Sequence, residues 1–246
     1  MRLAHLTPVT LLLVALAVPA QGQGSGNGYL FGTPDVRFSL HAGYAHANAK
    51  SELFDFVIDN LTVERGAFSG PNIGGDMAVR LAPRVDLAFG VDYSAAVKNS
   101  DDRRYLDNNN RPIEQTTSFR RAPLMANLLV SLASRGRSVG SLAWIPARVV
   151  PWIGAGAGTM WYRFQQQGDF VDYQTLNVFS TTLESSGWTP AYQGLGGVDV
   201  TISPRLGFTA DARYLWAKGN LSSDFRGFDR IDLSGITGSL GLTIRL

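Results

Sequence analysis

The 246-residue sequence contains no cysteine, which excludes disulfide bonds, thiolate metal ligands and cysteine nucleophiles. A surplus of one charge is also missing, because 22 Lys and Arg residues stand against 20 Asp and Glu residues without a basic stripe. That balance excludes nucleic acid as a partner. Helical periodicity is scarce too, and the apolar run near the start is too short for a membrane-spanning helix, which needs about 20 residues.

That apolar run belongs to an export signal. Arg2 and His5 precede the apolar stretch Leu11–Val18, and small residues follow as far as Ala20. A short charged region, an apolar stretch of about eight residues and a small-residue cleavage site form a secretory signal peptide. We expect cleavage after Ala20, with Gly22 as the alternative. An exported, cysteine-free β chain of this kind indicates a Gram-negative bacterium.

Two segments about 120 residues apart in the sequence carry the same hairpin pattern. Residues 81–93 and 202–214 each contain an apolar strand end, a Pro-Arg turn and a strand with strict two-residue alternation. In the first segment Val85 and Phe89 share one face, and Asp86 lies on the other. A period of two gives each strand an apolar and a polar side. The apolar side faces a core in a soluble sandwich and faces lipid in a membrane barrel.

Eight strands of this kind predict an all-β fold, an eight-stranded antiparallel up-and-down transmembrane β-barrel. The predicted strands are Val36–Ala47, Gly75–Ala82, Val85–Ala95, Phe119–Ala133, Val149–Phe164, Thr189–Ser203, Leu206–Lys218 and Ile231–Leu246. The predicted division is a signal peptide at residues 1–20, an N-terminal leader at 21–34 and the barrel at 35–246. The parity of the fifth strand stays open, because Gly alternates with small apolar residues over 152–158.

The connections between the predicted strands alternate in length. Pro-Arg turns at 83–84 and 204–205 are short, whereas the connections near 48–73, 96–117, 165–188 and 219–230 are long. Short periplasmic turns and long extracellular loops are the organisation of bacterial outer-membrane barrels. The link over 134–148 is the exception, since it is long for a periplasmic turn.

Aromatic residues favour the membrane barrel over a secreted soluble barrel. With the long loops outside, the Trp and Tyr residues gather near one rim, as in an aromatic girdle at a membrane interface. The predicted girdle consists of Tyr44, Tyr93, Trp161, Tyr162, Trp188, Tyr192, Tyr214 and Trp216. This pattern places the chain in the cell outer membrane.

The inward positions of the predicted barrel carry a nearly balanced set of Arg and Asp. These residues are Arg37, Asp76, Arg80, Asp86, Asp92, Arg121, Asp199, Asp211, Arg213 and Arg245. Side chains can fill the interior of an eight-stranded barrel, and Arg pairs with carboxylates through two parallel hydrogen bonds. We expect a packed ionic network that plugs the lumen. The alternative is a gated ion path in which pairs exchange partners; the individual pairs depend on the barrel shear.

Signals for catalysis or metal binding are weak. The only local group with hydrolase character is His46 with Ser51 and Glu52, and hydrolysis needs these groups within hydrogen-bond reach. No metal-ligand spacing stands out and no cofactor motif is present, since the Gly-rich 154–158 segment lacks the Lys of a phosphate loop. We expect no enzyme activity, no metal and no cofactor.

Three features together carry a family resemblance. They are the Pro-Arg hairpins at 83–84 and 204–205, the strand at 151–158 and the alternating final strand that ends Gly241-Leu-Thr-Ile-Arg-Leu246. The chain resembles the outer membrane protein beta-barrel domain family, whose architecture is that of OmpA/OmpX-type small barrels. The usual terminal signal of such barrels ends in Phe, and this chain ends in Leu246.

The resemblance implies an architecture and leaves the activity open among anchors, adhesins, conduits and lipid enzymes. We expect a structural or surface-interaction role, with a small-solute or ion conduit as the alternative and a lipid-modifying enzyme behind both. The expected partners are outer-membrane lipid, lipopolysaccharide and, through the C-terminal strand, the barrel-assembly machinery. An extracellular ligand is expected to contact the loops near 48–73 and 165–188.

Overall fold

The computed structural model describes residues 28–106, 111–140, 142–172, 175 and 177–246. The predicted signal peptide and leader residues 21–27 lie outside them. Helical structure in the described chain comprises α1 (Glu52–Asn60) and 3₁₀ turns at Arg65–Phe68 and Ser223–Phe225. The strands are β1 (Leu30–Phe31), β2 (Val36–Ala47), β3 (Gly70–Ala82), β4 (Val85–Leu106), β5 (Pro112–Ser131), β6 (Gly136–Val139), β7 (Ala143–Pro146), β8 (Val149–Val171), β9 (Val178–Thr201), β10 (Leu206–Gly219), β11 (Ile231–Asp232) and β12 (Gly235–Arg245).

Eight of these strands form a closed antiparallel ring. Each pairs with the next, from β2 through β3, β4, β5, β8, β9 and β10 to β12. The seam between β12 and β2 closes the ring, with Arg37 opposite Arg245 and Ala47 opposite Gly235. Ring closure removes the sheet edges, which is what crossing a bilayer requires. The predicted eight-stranded up-and-down barrel is therefore confirmed.

The polarity of the two strand faces reverses along the barrel. Near the turn end of β5, Leu124 and Leu128 point outward and are exposed, while Asn127 points inward and is buried. Near the loop end of the same strand, Phe119 is buried inside and Arg120 points outward. The half of the barrel next to the short turns, which we call the turn half, thus has a lipid-facing exterior. The half next to the long loops, the loop half, has a polar exterior like that of a water-soluble barrel.

This reversal explains why several strands are longer than predicted. β2 begins and ends as predicted, but β4 continues to Leu106 and β8 to Val171. The two-residue alternation continues in these extensions, and the inner face buries apolar residues such as Ile113 and Phe164 together with polar ones such as Gln115 and Gln166. Much of the segments 96–117 and 165–188, predicted as loops, is therefore strand that rises above the membrane.

The turn half carries a continuous apolar belt on its exterior. Leu40, Ile73, Leu128, Ile153 and Leu240 are among its large exposed apolar side chains. On β4, the outward residues run over the eight steps from Val85 to Tyr93, about 26 Å along the strand at 3.3 Å per residue, or roughly 20 Å along the bilayer normal at a tilt of about 40°. The apolar band of an outer-membrane barrel is about 25 Å tall. The chain is an integral protein of the outer membrane.

The loop half has a hydrophobic core inside the ring. The helix α1, which lies between β2 and β3, buries Leu53, Phe54 and Val57 in this core. Strand residues such as Phe119 and Phe164 and the later loop residue Phe225 pack with them. Among the described residues, no helix is long and apolar enough to cross a membrane. The nine-residue helix α1 was not predicted.

The long link at 134–148 forms a small sheet at the turn end. Strands β6 and β7 make a hairpin, and β1 pairs with β7 through Leu30 opposite Trp144. Part of the predicted leader is thereby tied to the link between β5 and β8. The segment between β1 and β2 then lines the turn-end opening through Thr33 and Asp35.

Candidate functional site

A central ionic layer fills the barrel in its membrane-spanning half. Its core is the guanidinium of Arg213, whose Nη2 lies 2.7 Å from Asp76 Oδ2. Arg213 Nη1 lies 3.1 Å from Asp92 Oδ2, and Nε lies 2.7 Å from Asp211 Oδ1. The carboxylates come from β3, β4 and β10, so one side chain connects strands on different sides of the lumen.

His41 completes the central ionic layer, which we define as Arg213, Asp76, Asp92, Asp211 and His41. The His41 ring lies 2.8 Å from Asp92 through Nε2 and 3.4 Å from Asp76 through Nδ1. Three carboxylates surround one guanidinium, and the two ring nitrogens of His41 lie next to two of these carboxylates. The prediction of the network omitted His41, although the inward parity that it shares with Arg37 on β2 was the signal for its position.

A second ionic group lies nearer the turn end. Arg37 Nη1 is 2.7 Å from Asp199 Oδ2, and Arg37 Nη2 is 3.3 Å from Asp86 Oδ2. Arg135 reaches the same Asp86 from the β5–β8 link, with Nη1 2.7 Å from Oδ1. Burial lowers the pKa of Arg135 from its ordinary value, and attraction to Asp86 opposes that shift. Arg135 lies outside the predicted strands, so sequence parity could not assign it to the lumen.

Three predicted network residues lie apart from these two groups. Arg80 pairs with Asp35 at 2.7 Å in the turn-end mouth, with Asp35 mostly exposed, so it belongs to the rim and not to the buried network. Arg245 lines the turn-end opening, and its Nη1 is buried without a hydrogen-bond partner. Arg121 is buried toward the loop half, where it donates to the Leu233 carbonyl at 3.0 Å.

Inside the loop half lie α1 and the apolar side chains packed on it, which we call the loop-end plug. Phe54, which is 0 % exposed, lies at its centre. Its ring centroid lies 4.6 Å from that of Phe68, 5.4 Å from Phe119 and 5.7 Å from Phe164. The aromatic contacts fix α1 across the inside of the ring. The plug and the central ionic layer therefore lie one above the other in the lumen.

Seven of the eight predicted girdle residues lie on the exterior side of the ring, at partly or largely exposed positions. Trp188 and Tyr192 are 60 % and 61 % exposed, and Trp161 is the cross-strand partner of Trp188. Tyr162 is a correction, because it points inward and is 1 % exposed. Its hydroxyl donates to the carbonyl of Asn220, which joins β8 to the last long loop.

The sequence left open which residues of β8 face inward, and the answer explains why Tyr162 lies inside the ring. Even-numbered residues of β8 face inward, which places Gly154 and Gly156 inside and Ala155 and Ala157 outside. A Cβ at Gly156 would lie 2.0 Å from Asn127 Oδ1. The glycines therefore make room for side chains of the neighbouring strand β5.

The group suggested for hydrolysis is not assembled. His46 Nδ1 lies 3.1 Å from Ser69 Oγ, a residue outside the predicted group. Ser51 Oγ is buried without a hydrogen-bond partner, and Glu52 accepts from the Asp229 backbone N–H at 3.4 Å. In the described residues no cluster of three or more His, Asp or Glu side chains is arranged to hold a metal ion.

A cavity of about 590 Å³ opens at the turn end of the barrel. Its wall includes Arg37, Arg135 and Arg245, together with the buried indole of Trp144. We call it the turn-end cavity. Its floor includes Asp199. Asp199 also lines a smaller cavity whose wall includes Asp76 and Arg213 of the central ionic layer.

The closed ring, the apolar belt and the aromatic girdle define the class: the chain is a small outer-membrane β-barrel. No family model and no curated protein sequence matches it. Among solved structures it is similar to Neisserial surface protein A, at 14% identity over 89% of this chain and 97% of that one, with a TM-score of 0.44.

Two further similarities have the same character. The outer membrane protein OprG from Pseudomonas aeruginosa shares 11% identity over 87% of this chain and 98% of that one, with a TM-score of 0.46. The attachment invasion locus protein Ail of Yersinia pestis, solved with a heparin analogue, shares 12% identity over 86% of this chain and 99% of that one, with a TM-score of 0.40. The assignment to the class rests on the ring, belt and girdle of this chain.

Proposed function

We propose that the protein is a plugged barrel with a structural or surface-interaction role. The observation that carries this proposal is that a buried ionic layer and an apolar cluster lie one above the other inside the ring. Solutes that enter the turn-end cavity meet the central ionic layer, where Arg213 holds three carboxylates. Beyond it, the loop-end plug fills the ring with apolar side chains around Phe54. An ion would have to cross a paired, desolvated layer and then an apolar one.

A gated ion conduit is the second candidate. It is favoured by the excess of carboxylates in the central ionic layer and by the cavity that reaches Asp199 from the turn end. Opening such a path requires Arg213 to change partners and α1 to leave the ring. The two candidates therefore differ in whether the plug and the layer ever open.

Planar bilayer recordings distinguish the two candidates. The intact barrel is expected to give no steady conductance. A variant with residues 51–66 replaced by a short Gly-Ser linker removes α1, and Arg213→Ala breaks the central layer. Because the closures are in series, we expect steady steps only from the double variant. Deletion of the β8–β9 hairpin tip between residues 169 and 180 serves as the matched loop control. Conductance from the intact barrel would reject the plugged role.

The surface role is proposed for the exposed loop half. Phe56 on α1 stacks edge-on against Phe228 at 5.3 Å between ring centroids, and Phe179 is exposed at the tip of the β8–β9 hairpin. Exposed apolar groups of this kind mark contact surfaces. Whole-cell binding assays with Phe56→Ser and Phe228→Ser test this role, and a role of this surface in cell attachment is rejected if both variants bind as the parent does.

Lipopolysaccharide is the proposed lipid partner of the loop half. Arg120 and Arg163 are cross-strand partners on β5 and β8 and point outward just beyond Trp161. Guanidinium groups bind phosphate oxygens well, although Arg163 also pairs with Glu184 at 2.5 Å. Replacement of both by Gln is expected to reduce the lipopolysaccharide that copurifies, with Arg226→Gln as the exposed loop control.

The C-terminal strand β12 is proposed as the segment that the barrel-assembly machinery binds.

A further inference from the structure

We propose that the turn-end cavity is a binding site for a phosphate-bearing anion. Its volume of about 590 Å³ leaves room for a phosphate group with a larger organic portion. The wall is rich in guanidinium groups and opens toward the side of the short turns, which is periplasmic in outer-membrane barrels. The charged residues on this wall are Arg37, Arg80, Arg135, Arg245, Asp35, Asp86 and Asp199.

The carboxylates of the cavity are already occupied by protein groups. Asp86 accepts from Arg135 at 2.7 Å and lies 3.3 Å from Arg37. Asp199 accepts hydrogen bonds from Arg37 at 2.7 Å, from the Trp152 indole N–H at 3.1 Å and from the Thr209 hydroxyl at 2.8 Å. The Asp199 oxygens are therefore occupied, while Asp86 Oδ2 is buried without a hydrogen-bond partner and has Arg37 as its ion-pair partner.

The guanidinium groups are in excess of these carboxylates. The rim pair of Arg80 and Asp35 is neutral, and Arg37 and Arg135 neutralise Asp86 and Asp199. Arg245 is then the surplus positive charge, with no ion pair within 4 Å among the described residues. Like charges from Arg37 and Arg80 also act on Arg135. An anion in the cavity would relieve this repulsion.

Two guanidinium groups on the wall each have one buried nitrogen that makes no hydrogen bond. Arg135 Nη2 and Arg245 Nη1 are buried and have no hydrogen-bond partner in the described structure. Arg135 is held in place by Asp86 and by the Ser131 hydroxyl, which accepts from its Nε at 2.8 Å. Unpaired buried donors are unfavourable, and Arg forks match the geometry of phosphate oxygens.

The rest of the wall indicates the chemistry of the ligand body. Trp144 from β7 presents a buried indole, and Ala78 and Val150 add apolar surface on β3 and β8. A phosphate ester with a short apolar or glycerol portion fits both parts of this wall. Such a group comes either from a soluble periplasmic phosphate ester or from the headgroup of an inner-leaflet phospholipid.

Isothermal titration calorimetry on the refolded barrel in a non-ionic maltoside detergent tests the site, with sodium pyrophosphate as the probe at low salt. We expect saturable binding to one site, weakened at least ten-fold by Arg245→Gln and by Arg135→Gln. The matched control is Arg84→Gln, an exposed turn arginine that does not line the cavity. Absence of binding to the parent protein, or an equal loss with Arg84→Gln, would overturn the proposal.

A second measurement guards against misfolding of the variants. Pyrophosphate is expected to raise the thermal unfolding midpoint of the parent barrel and to leave that of Arg245→Gln unchanged. Arg245→Gln removes a guanidinium that makes no ion pair in the described structure, so the variant should retain the heat-modifiable mobility of a folded barrel on gels. A folded Arg245→Gln barrel that pyrophosphate stabilises as strongly as the parent would contradict the assignment.

Competition identifies the source of the phosphate. If glycerol 1-phosphate displaces pyrophosphate as well as dihexanoyl phosphatidylglycerol does, the ligand is a soluble phosphate ester. If the diacyl compound displaces it at much lower concentration, the ligand is a phospholipid headgroup. Displacement by neither compound would overturn the phosphate-ester assignment.

Discussion

Asp211 and Arg213 stand two residues apart on β10 and meet at 2.7 Å, between Asp211 Oδ1 and Arg213 Nε. The period of two in a strand aims both side chains into the lumen. The same guanidinium then reaches Asp76 and Asp92 on β3 and β4. A local pair on one strand thereby connects to strands across the barrel.

Replacement of Arg213 by Met should destabilise the barrel strongly. The change leaves the buried Asp92 and Asp211 and the partly buried Asp76 without their guanidinium, and breaking a buried ion pair costs about 3–5 kcal/mol. Urea unfolding in detergent micelles measures the change in the free energy of unfolding. Arg226→Met, in an exposed loop, is the control and should change it little. Equal effects of the two substitutions would place Arg213 in contact with water.

Replacement of Phe54 by Ala should release α1 from the ring. Replacement of a buried Phe by Ala lowers the free energy of unfolding by about 3–5 kcal/mol. Here the lost contacts are those of the loop-end plug. We expect faster proteolysis within 50–66 while the membrane-spanning half stays folded. Phe56→Ala on the same helix is the control, because Phe56 is 41 % exposed. Similar cleavage rates for both variants would show that Phe54 does not hold the helix.

Replacement of Gly156 by Val should prevent normal closure of the barrel wall. A Cβ there lies 2.5 Å from the backbone oxygen of Ala126 as well as against the Asn127 side chain. Overpacking of this kind costs about 1–3 kcal/mol or more. The adjacent Ala157→Val points to lipid and should be tolerated. The mobility of unheated samples on gels reports folding, and full folding of Gly156→Val would contradict the inward parity of β8.

Brominated lipids should quench Trp188 and spare Trp152. Trp188 is exposed on the girdle, whereas the Trp152 indole points inward and donates to Asp199 at 3.1 Å. Single-tryptophan variants in bilayers with bromine at defined depths measure the contrast. We expect the strongest quenching of Trp188 with bromine near the headgroups. Strong quenching of Trp152 would show that its strand face had been assigned incorrectly.

The lipid-facing half of the barrel could be predicted from the sequence because its alternation is strong. β2 matches its predicted bounds, and β4, β8 and β10 begin at the predicted residues Val85, Val149 and Leu206. Apolar positions face lipid there and charged ones face the lumen, so a period of two fixes both. The inward positions of Arg37, Asp92 and Arg213 follow from the same rule.

The remaining features depend on information that periodicity does not contain. Tyr162 was misplaced because Gly and Ala alternate before it without a polar face. The sequence predicts loops in place of the upper strands because their outward face is largely polar there, so a rule based on lipid contact does not apply. Ion pairs such as Arg213 with Asp76 join residues 137 apart in sequence and depend on the stagger of the ring.

The closing seam has a consequence for how the barrel folds. Seven of the eight interfaces join strands that follow one another along the ring and can form as successive hairpins. The eighth joins β2 to β12, where the hydroxyls of Ser39 and Thr243 lie 2.7 Å apart although 204 residues separate them in the sequence. Contacts of such long range form slowly, because a large loop must close first. Until the seam closes, the edges of β2 and β12 that form it stay unpaired, and this is the period in which the nascent sheet is most exposed to aggregation.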